Sequence, residues 1–313
     1  MTNIKAKPFL KWAGGKSQLL QQFENFYPKE LKSKKINRYI EPFIGGGAVF
    51  FEVVQRFKFE HLYISDINKD LILAYKTIKR ASNDLIYCLE EYQANYYEKD
   101  LAKRKEFFYE IRNEYNLEKD LINYKNYSKN WVERTAKLIF LNRTCFNGLF
   151  RLNSSGQFNV PFGDYKKPRI LDEENLKAIS NVLQRTEIKN ADYQKCFDKI
   201  TQKTFLYFDP PYRPISKTSS FTTYNGSNFA DDEQIKLAEF LKKLTTEKHA
   251  KFMLSNSDPK NENLEDNFFD DLYKDFFINR VSATRIINSK AEKRGQINEL
   301  LLTNYRTKQL SKK

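Results

Sequence analysis

Two short apolar runs flank a glycine triplet and an amphipathic segment in residues 38–66, and this order restricts the fold more than any other stretch. The first run is RYIEPF, and Gly45-Gly46-Gly47 then precedes the apolar segment AVFFEVVQRF. The second run, HLYISD, ends on Asp66 and leads into another helical pattern, NKDLILAYKTIKR. The order predicts a β-α-β unit, and therefore a parallel sheet and an α/β fold.

Charge and cysteine content limit the classes of function. The 313 residues carry 54 basic and 40 acidic side chains, a formal net charge of +14, which favours a polyanionic partner such as nucleic acid. Three cysteines without a Cys-x-x-Cys pair, together with only two histidines, argue against zinc and for a reducing compartment. No apolar run approaches the roughly 18 residues of a membrane span, and the N-terminal residues contain no apolar signal core. We therefore expect no metal, no membrane contact and no export.

The alternation of strand and helix patterns is interrupted in the middle of the chain. From about residue 82 to residue 137 the sequence turns to charged helical segments rich in tyrosine, and WVERTAKLIFLNRT closes that stretch with helical spacing. Asn147-Gly148 then gives a two-residue hairpin signal, and Ser155-Gly156 marks another turn. The β-α pattern resumes at TFLYFDPPY and continues through KFMLSNSD, FFINRVSATR and INELLLTNY. We predict a catalytic domain in two parts, residues 1–78 and 185–313, with a mostly helical domain inserted at residues 79–184 whose hairpin covers residues 144–165.

The stretch FLKWAGGKSQLL superficially resembles a loop that binds nucleotide phosphates. Such a loop needs a glycine, four further residues and then Gly-Lys-Ser or Gly-Lys-Thr. Counting back from Gly15, the required first glycine is Leu10, and no apolar run precedes the stretch to form the supporting strand. Another role must therefore explain Lys11, Trp12 and Lys16.

The glycine triplet and Asp66 together indicate an adenosine cofactor. Glycines at the end of a strand let a helix begin close to a ligand, and an acid at the end of the next strand can accept both ribose hydroxyls. The sequence does not match Gly-x-Gly-x-x-Gly, the pattern of a pyrophosphate site, because no glycine stands at the last position of that pattern. S-adenosylmethionine carries no phosphate, and its positive sulfonium suits a nearby carboxylate such as Glu41.

The tetrapeptide DPPY, Asp209 to Tyr212, directly follows the apolar run TFLYF. Pro210 and Pro211 have no amide hydrogen, so this turn offers carbonyl groups that only accept. An adenine amino group has two hydrogens, which Asp209 and the Pro210 carbonyl can accept, and the nitrogen lone pair stays free to attack a methyl group. Tyr212 can stack on the base.

These motifs together resemble a known family. In the order KWAGGK, EPFIGGGAVFF, SDIN, FNGLFRLNSSGQFNVPFG and DPPY, the chain is similar from Lys7 to about Tyr305 to Dam-type DNA adenine-N6 methyltransferases, the alpha group of the D12 class. The resemblance implies a Rossmann-like methyltransferase fold with a mixed sheet and an inserted target-recognition domain. It also implies a site-specific, adenine-specific enzyme that uses S-adenosylmethionine and flips its target base out of double-stranded DNA.

Residue roles follow from the resemblance by position. The positions implied for the cofactor site are Trp12, Lys16, Glu41, Phe43, Gly45, Gly47, Asp66, Asp192 and Asp209. Those implied for DNA contact are Lys11, Phe146, Asn147, Leu149, Arg151, Asn159, Pro161 and Tyr165. Within the second set, Lys11 and Arg151 fall where guanines are read, Leu149 and Pro161 near a thymine methyl, and Phe146 and Asn147 at the hairpin tip that enters the base stack.

The resemblance favours GATC as the recognition sequence, although relatives with other GAT-containing sites share Lys11 and Arg151. Two positions depart from the usual pattern, since Phe146 stands where many members have tyrosine and Asp164 where a basic residue is common. An RNA or protein-amide methyltransferase and a catalytically silent DNA-binding relative remain alternatives. We expect a monomer in the prokaryotic cytoplasm that associates with DNA, with a restriction endonuclease as a possible separate partner.

Overall fold

The predicted β-α-β unit is present in a computed structural model, which describes residues 4–213, 229–284 and 296–307. Strand β1 is Arg38–Glu41, and after the glycines helix α3 covers Ala48–Arg56. Strand β2, His61–Asp66, pairs with β1 in parallel. Gly47 precedes α3 with φ +76°, and a Cβ there would lie 2.6 Å from the Tyr75 hydroxyl oxygen, so only glycine fits this position.

Five further strands of the described residues join β1 and β2 in one mixed sheet. They are β3 Thr186–Asn190, β4 Thr204–Phe208, β5 Lys251–Ser257, β6 Phe277–Thr284 and β7 Gln296–Thr303. The strand order is β3-β2-β1-β4-β5-β7-β6, in which the first five strands are parallel and β7 is antiparallel to both β5 and β6. The mixed α/β fold is therefore confirmed. Strand order reverses between β1 and β4, and in open α/β sheets ligands bind at this place, beyond the carboxyl ends of the strands.

The C-terminal half follows the predicted alternation. Helix α8, Asp231–Lys243, precedes β5, and the short helix α9, Phe268–Leu272, precedes β6. The predicted strand FFINRVSATR forms as β6 over Phe277–Thr284. Phe276 lies just before the strand, and Arg285 lies outside the described residues. Within the described part of the chain, no helix is both long and apolar enough to cross a membrane.

Strand β3 and the helix before it, α7 Glu173–Leu183, were not predicted from the sequence. The strand sequence TEIKN contains one strongly apolar residue. Only Thr186 and Ile188 are buried, because the strand lies at the edge of the sheet. Backbone pairing with β2, rather than its own side chains, defines this strand.

A long helix leads from the sheet into the middle of the chain. Helix α4 covers Lys69–Tyr97 with a kink at Ala81, and α5 Leu101–Leu117 and α6 Asn130–Thr144 follow. The helix predicted from WVERTAKLIFLNRT is α6. Because α4 continues through residue 79 and packs against α6 and α7, it joins the sheet to the predicted inserted domain. Two short helices, α1 Leu20–Phe23 and α2 Lys29–Lys32, precede β1.

The predicted hairpin is irregular, and its end is not where Asn147-Gly148 indicated. Cys145 pairs with Phe162 and Leu152 with Phe158, so the chain reverses at the Ser155-Gly156 turn, where Gly156 has φ +70°. Asn147 and Gly148 both have positive φ, as a tight hairpin turn requires, but they form a local turn inside the first arm.

Packing against the segment KWAGGK, residues 11–16, explains this arrangement; we call this segment the KWAGGK strip. A Cβ on Gly148 would lie 2.2 Å from Lys11 Cδ, so the glycine lets the Lys11 side chain cross the turn. The Asn142 side chain then donates to the carbonyls of Lys11 and Gly148, at 2.9 Å each.

Candidate active site

Asp209 lies directly after β4, at the strand-order reversal. Its Oδ1 atom is 2.9 Å from Lys16 Nζ and accepts a hydrogen bond of 2.9 Å from Ser255 on β5. Lys16 is buried, with 3% of its surface exposed, and its ammonium also lies 4.7 Å from the centre of the Tyr212 ring. The structure therefore joins the KWAGGK strip and DPPY by an ionic contact between a buried lysine and a half-buried aspartate.

Glu299 on β7 is a member of this cluster that sequence reasoning missed. The Tyr212 hydroxyl donates to Glu299 Oε2 at 2.7 Å. Burial raises the pKa of the Glu299 carboxyl, and the positive charge of Lys16 acts in the opposite direction. The sequence signal, a lone acid in the apolar run INELLL, is ambiguous, because an acidic side chain in a strand usually faces solvent.

The tetrapeptide is held on its other side by α8. Gln234 Nε2 donates to the Pro211 carbonyl at 3.2 Å, and Asn256 Nδ2 donates to Gln234 at 3.1 Å. This chain of amides fixes the Pro-Pro turn against β5.

Asp66 ends β2 and holds the glycine loop. Its carboxylate accepts from the backbone amides of Gly45, at 3.2 Å, and Asn68, at 2.9 Å. Burial raises the pKa of Asp66 to about 6, although these amide hydrogen bonds favour the ionised form. Asp192 lies just past β3, next to Asp66, because Ala191 N donates to the Asp66 carbonyl at 3.2 Å. The exposed Asp192 side chain accepts from Gln194 N at 2.9 Å.

Glu41 is the last residue of β1, the strand between β2 and β4, and Phe43 comes two residues later. Glu41 is buried and accepts a hydrogen bond from the Tyr39 hydroxyl. Burial raises the pKa of the Glu41 carboxyl well above its usual value, and the charge of Asp209 raises it further. The half-buried Phe43 ring stacks on Tyr193, with 5.3 Å between ring centres.

Trp12 fills the space that the first two glycines leave. A Cβ on Gly45 would lie 3.1 Å from Trp12 Cδ1, and one on Gly46 would lie 3.1 Å from Trp12 Cβ. The indole also stacks on Phe150 of the hairpin arm, with 5.2 Å between ring centres. Trp12 thus connects the glycine loop to the hairpin, and part of the space that we attributed to a ligand is occupied by this side chain.

The predicted DNA-contacting residues lie together beside this strip. Lys11 Nζ is 5.0 Å from the centre of the Tyr165 ring, and Phe146 N donates to the Pro161 carbonyl at 2.8 Å. Phe146 is 53% exposed, which is unusual for a large apolar side chain.

Further along the first arm, Arg151 Nε donates to Asn159 Oδ1 at 2.8 Å and remains exposed. Asn147 and Pro161 are exposed as well, and Leu149 is half-buried. Asp164, the departure from the usual pattern, is exposed and has φ 42°.

Comparison with known proteins gives a consistent result. The family model for D12 class N6 adenine-specific DNA methyltransferases matches residues 12–287. The type II methyltransferase M.MjaIII of Methanocaldococcus jannaschii is 47% identical over 96% of this chain and 100% of its own length. The DNA adenine methylases of Haemophilus influenzae and Escherichia coli are 33% and 31% identical, each over 95% of this chain and over 93% and 95% of their own lengths. The chain therefore belongs to the D12 class of N6 adenine-specific DNA methyltransferases.

Proposed function

We propose that this protein transfers a methyl group from S-adenosylmethionine to adenine N6 in double-stranded DNA at GATC, after extruding the target base from the duplex. The observation that carries the proposal is the position of Asp209, a carboxylate at the strand-order reversal followed by carbonyls that cannot donate. An exocyclic amine, which has two hydrogens to donate, matches this acceptor set.

The residues at the carboxyl edge of the sheet fit S-adenosylmethionine. Carboxylates stand at the ends of four adjacent strands: Asp192 after β3, Asp66 on β2, Glu41 on β1 and Asp209 after β4. Hydroxyl and amino groups can donate to such acceptors, and a cationic sulfur offsets their charge, whereas a pyrophosphate would add negative charge. When bound, this donor would supply a methyl group: the amine nitrogen forms a bond to the methyl carbon, the bond between that carbon and sulfur breaks, S-adenosylhomocysteine leaves, and the amine releases one proton to solvent.

Each protein group then has a defined part in the transfer. Asp209 and the Pro210 carbonyl accept the two amino hydrogens of adenine and orient the nitrogen lone pair. In the structure Lys16 and Ser255 donate to Asp209 Oδ1, so an entering amine either displaces Lys16 or uses Oδ2. The Tyr212–Glu299 hydrogen bond fixes the tyrosine ring against which the base stacks.

Base extrusion requires a group that replaces the stacking of the extruded base. Phe146, exposed at the Asn147-Gly148 turn, presents an apolar ring for this purpose. The missing hydroxyl relative to tyrosine leaves that apolar function intact. Lys11 and Arg151 read guanines, and Leu149 and Pro161 contact a thymine methyl.

Labelled donor and matched substrates test the proposal. Purified protein should form N6-methyladenine in a duplex that contains GATC, and no product above background in a duplex with these four bases permuted, in a structured RNA or in a protein. Transfer to RNA or protein only would instead support the corresponding alternative. A protein that binds duplex DNA but no donor in calorimetry would be the silent relative. Sedimentation with the duplex gives the oligomeric state, for which we propose a monomer.

Cofactor affinity should fall in mild acid. A carboxyl whose pKa is raised to about 6 is ionised at pH 7.5 and largely protonated at pH 5. Because the ionised form accepts both ribose hydroxyls, the affinity for S-adenosylmethionine should decrease by up to about tenfold per pH unit below pH 6. Calorimetry between pH 5 and 7.5 measures this decrease. Asp66→Asn should bind more weakly at pH 7.5 and lose most of the slope, and an unchanged slope in this variant would assign the titration to another group.

Arg151→Ala should relax recognition at one base pair. A bidentate arginine–guanine contact is worth about 1 to 3 kcal/mol of discrimination against the wrong base. Competition between GATC and singly substituted duplexes measures the change. Asn159→Ala, which removes the support of the Arg151 Nε atom, should give a smaller effect at the same base pair. An equal loss on every duplex would identify Arg151 as a phosphate contact instead.

A further inference from the structure

Asn142 connects the two chain segments that carry the predicted DNA-contacting residues. It lies near the end of α6, is completely buried, and accepts a hydrogen bond of 2.8 Å from the Lys11 amide. Its Nδ2 atom donates to the carbonyls of Lys11 and Gly148, at 2.9 Å each. One side chain therefore holds both the backbone of the KWAGGK strip and the Asn147-Gly148 turn. The function proposed above gives this asparagine no part.

The hydrogen bonds of Asn142 require a carboxamide. Its oxygen and one amino hydrogen bond to the N–H and C=O groups of a single residue, Lys11, much as a neighbouring strand would. The second amino hydrogen can then serve the Gly148 carbonyl. Ionised aspartate only accepts hydrogen bonds and leucine has no polar atom, so neither residue could make this set of contacts.

The path of the Lys11 side chain links Asn142 to DNA reading. The aliphatic part of Lys11 crosses Gly148, where an added Cβ would lie 2.2 Å from Lys11 Cδ, and its ammonium lies 5.0 Å from the centre of the Tyr165 ring. Asn142 thus bonds both to the residue from which this side chain starts and to the turn that it crosses. Because lysine has a long flexible stem, these two fixed points restrict where its ammonium can lie.

Two other amide side chains hold the same N-terminal segment at earlier positions. Asn175 on α7, which is 1% exposed, accepts from the Lys7 amide at 2.9 Å and donates to the Lys7 carbonyl at 3.1 Å. Gln55 on α3 makes the same pair of contacts with Ala6, at 2.7 and 2.9 Å. Asn175 therefore resembles Asn142 in residue type, burial and backbone contacts, but it bonds to a residue for which no DNA contact is predicted.

We propose that Asn142 is a positioning residue that fixes the guanine-reading geometry of Lys11 and so contributes to discrimination at one base pair. The proposal rests on the proposed function, because it takes Lys11 as a reader of guanine. A specific contact requires that its groups be held within about 0.5 Å of the productive geometry by supporting contacts. Loss of the Asn142 side chain leaves the Lys11 charge in place but releases the strip from the turn. Discrimination should therefore change more than general affinity for DNA.

Competition between two duplexes in one reaction measures discrimination independently of the folded fraction, because both duplexes use the same active enzyme. Among singly substituted GATC duplexes, Lys11→Ala first identifies the base pair that Lys11 reads. Asn142→Ala should relax discrimination at that base pair by about fivefold, and by less than about twofold at the base pair affected by Arg151→Ala. Asn175→Ala, the matched control, should keep the wild-type ratio at every base pair.

Two further variants separate positioning from a general loss of packing. If Asn142 acts through Lys11, Asn142→Ala should cause no further loss of discrimination when it is added to Lys11→Ala. Gly148→Ala keeps the asparagine but places a Cβ where the Lys11 side chain crosses the turn, so it should relax the same base pair. Gly148→Ala also decides the test if Asn142→Ala does not fold.

The outcomes distinguish this proposal from the proposed function. Wild-type discrimination in Asn142→Ala, or in Gly148→Ala where the first variant does not fold, would overturn the positioning role and leave the methyltransferase proposal intact. Equal relaxation in Asn175→Ala, or additive losses with Lys11→Ala, would do the same, because Asn142 would then not act through Lys11. Unchanged discrimination in Lys11→Ala would also refute it. A wild-type protein that methylates no GATC duplex would refute both proposals.

Discussion

Asp209→Ala is expected to lower the rate of methyl transfer by about a hundredfold to a thousandfold, while affinity for the GATC duplex stays within a few fold of wild type. The magnitude corresponds to the loss of one well-placed polar group that stabilises developing charge, about 2.7 to 4 kcal/mol. The Asp209 carboxylate accepts a hydrogen bond from the amine while the amine nitrogen becomes positive. Removing this carboxylate therefore affects the chemical step. Single-turnover transfer of labelled methyl, with binding measured separately, resolves the two quantities.

Ser255→Ala is the matched control for this substitution. It removes the other 2.9 Å hydrogen bond to Asp209 but leaves the carboxylate and its Lys16 partner in place, so a loss of tenfold or less is expected. Because Asp209→Ala leaves the buried Lys16 ammonium without this partner, thermal unfolding must show that the variant is folded under assay conditions. Wild-type turnover in a folded Asp209→Ala protein would refute the assigned role.

Asp70→Ala should have the largest effect on stability, a loss of about 3 to 5 kcal/mol. Asp70 on α4 makes a bidentate contact with Arg134 on α6, at 3.0 Å to Nε and 3.2 Å to Nη2, and Arg134 is only 2% exposed. The guanidinium also lies 3.5 Å from the centre of the Tyr115 ring on α5. Truncating one partner leaves a buried charge unpaired, at a cost that is a large share of the typical 5 to 15 kcal/mol of a folded protein. Urea unfolding measures the loss.

Two controls separate the buried pair from charge removal in general. Glu173→Ala breaks an exposed pair with Lys177 within one helix and should cost less than about 1 kcal/mol. Asp70→Leu combined with Arg134→Met should cost less than Asp70→Ala alone, since neither substitution then leaves a charge behind. If the double variant were the less stable of the two, the unpaired arginine would not be the cause.

Local sequence patterns predicted the strands and helices whose own residues show an apolar run or a helical spacing. The runs around β1, β2, β4 and β5 are apolar enough to mark buried strands, and α3 and α6 show helical spacing. Strand β3 was missed because pairing at a sheet edge, rather than apolar content, defines it. The Asn147-Gly148 turn was also predicted only in part. Its positive φ angles follow from the two residue types, but the passage of the Lys11 side chain across Gly148 depends on a distant part of the chain.

Contacts between distant residues account for most of what the sequence did not reveal in the candidate site. Lys16 meets Asp209 across 193 positions of the chain, and Tyr212 meets Glu299 across 87. Neither spacing follows a helical or strand period, so only the folded sheet brings these groups together. Residue types and the family resemblance indicated the candidate site residues, and their roles remain predictions. Neither indicated that Lys16 and Ser255 donate to the Asp209 carboxylate, which is proposed to receive the substrate amine.

A crystal structure with a GATC duplex and a non-reactive analogue of S-adenosylmethionine would show directly where the target amine lies. We expect the target adenine outside the duplex, with N6 within hydrogen-bonding distance of an Asp209 carboxylate oxygen and of the Pro210 carbonyl, and with its ring against Tyr212. An adenine that remains stacked in the duplex, or a base whose amino group faces away from Asp209 while Lys16 keeps its 2.9 Å contact there, would refute the proposed role of this carboxylate.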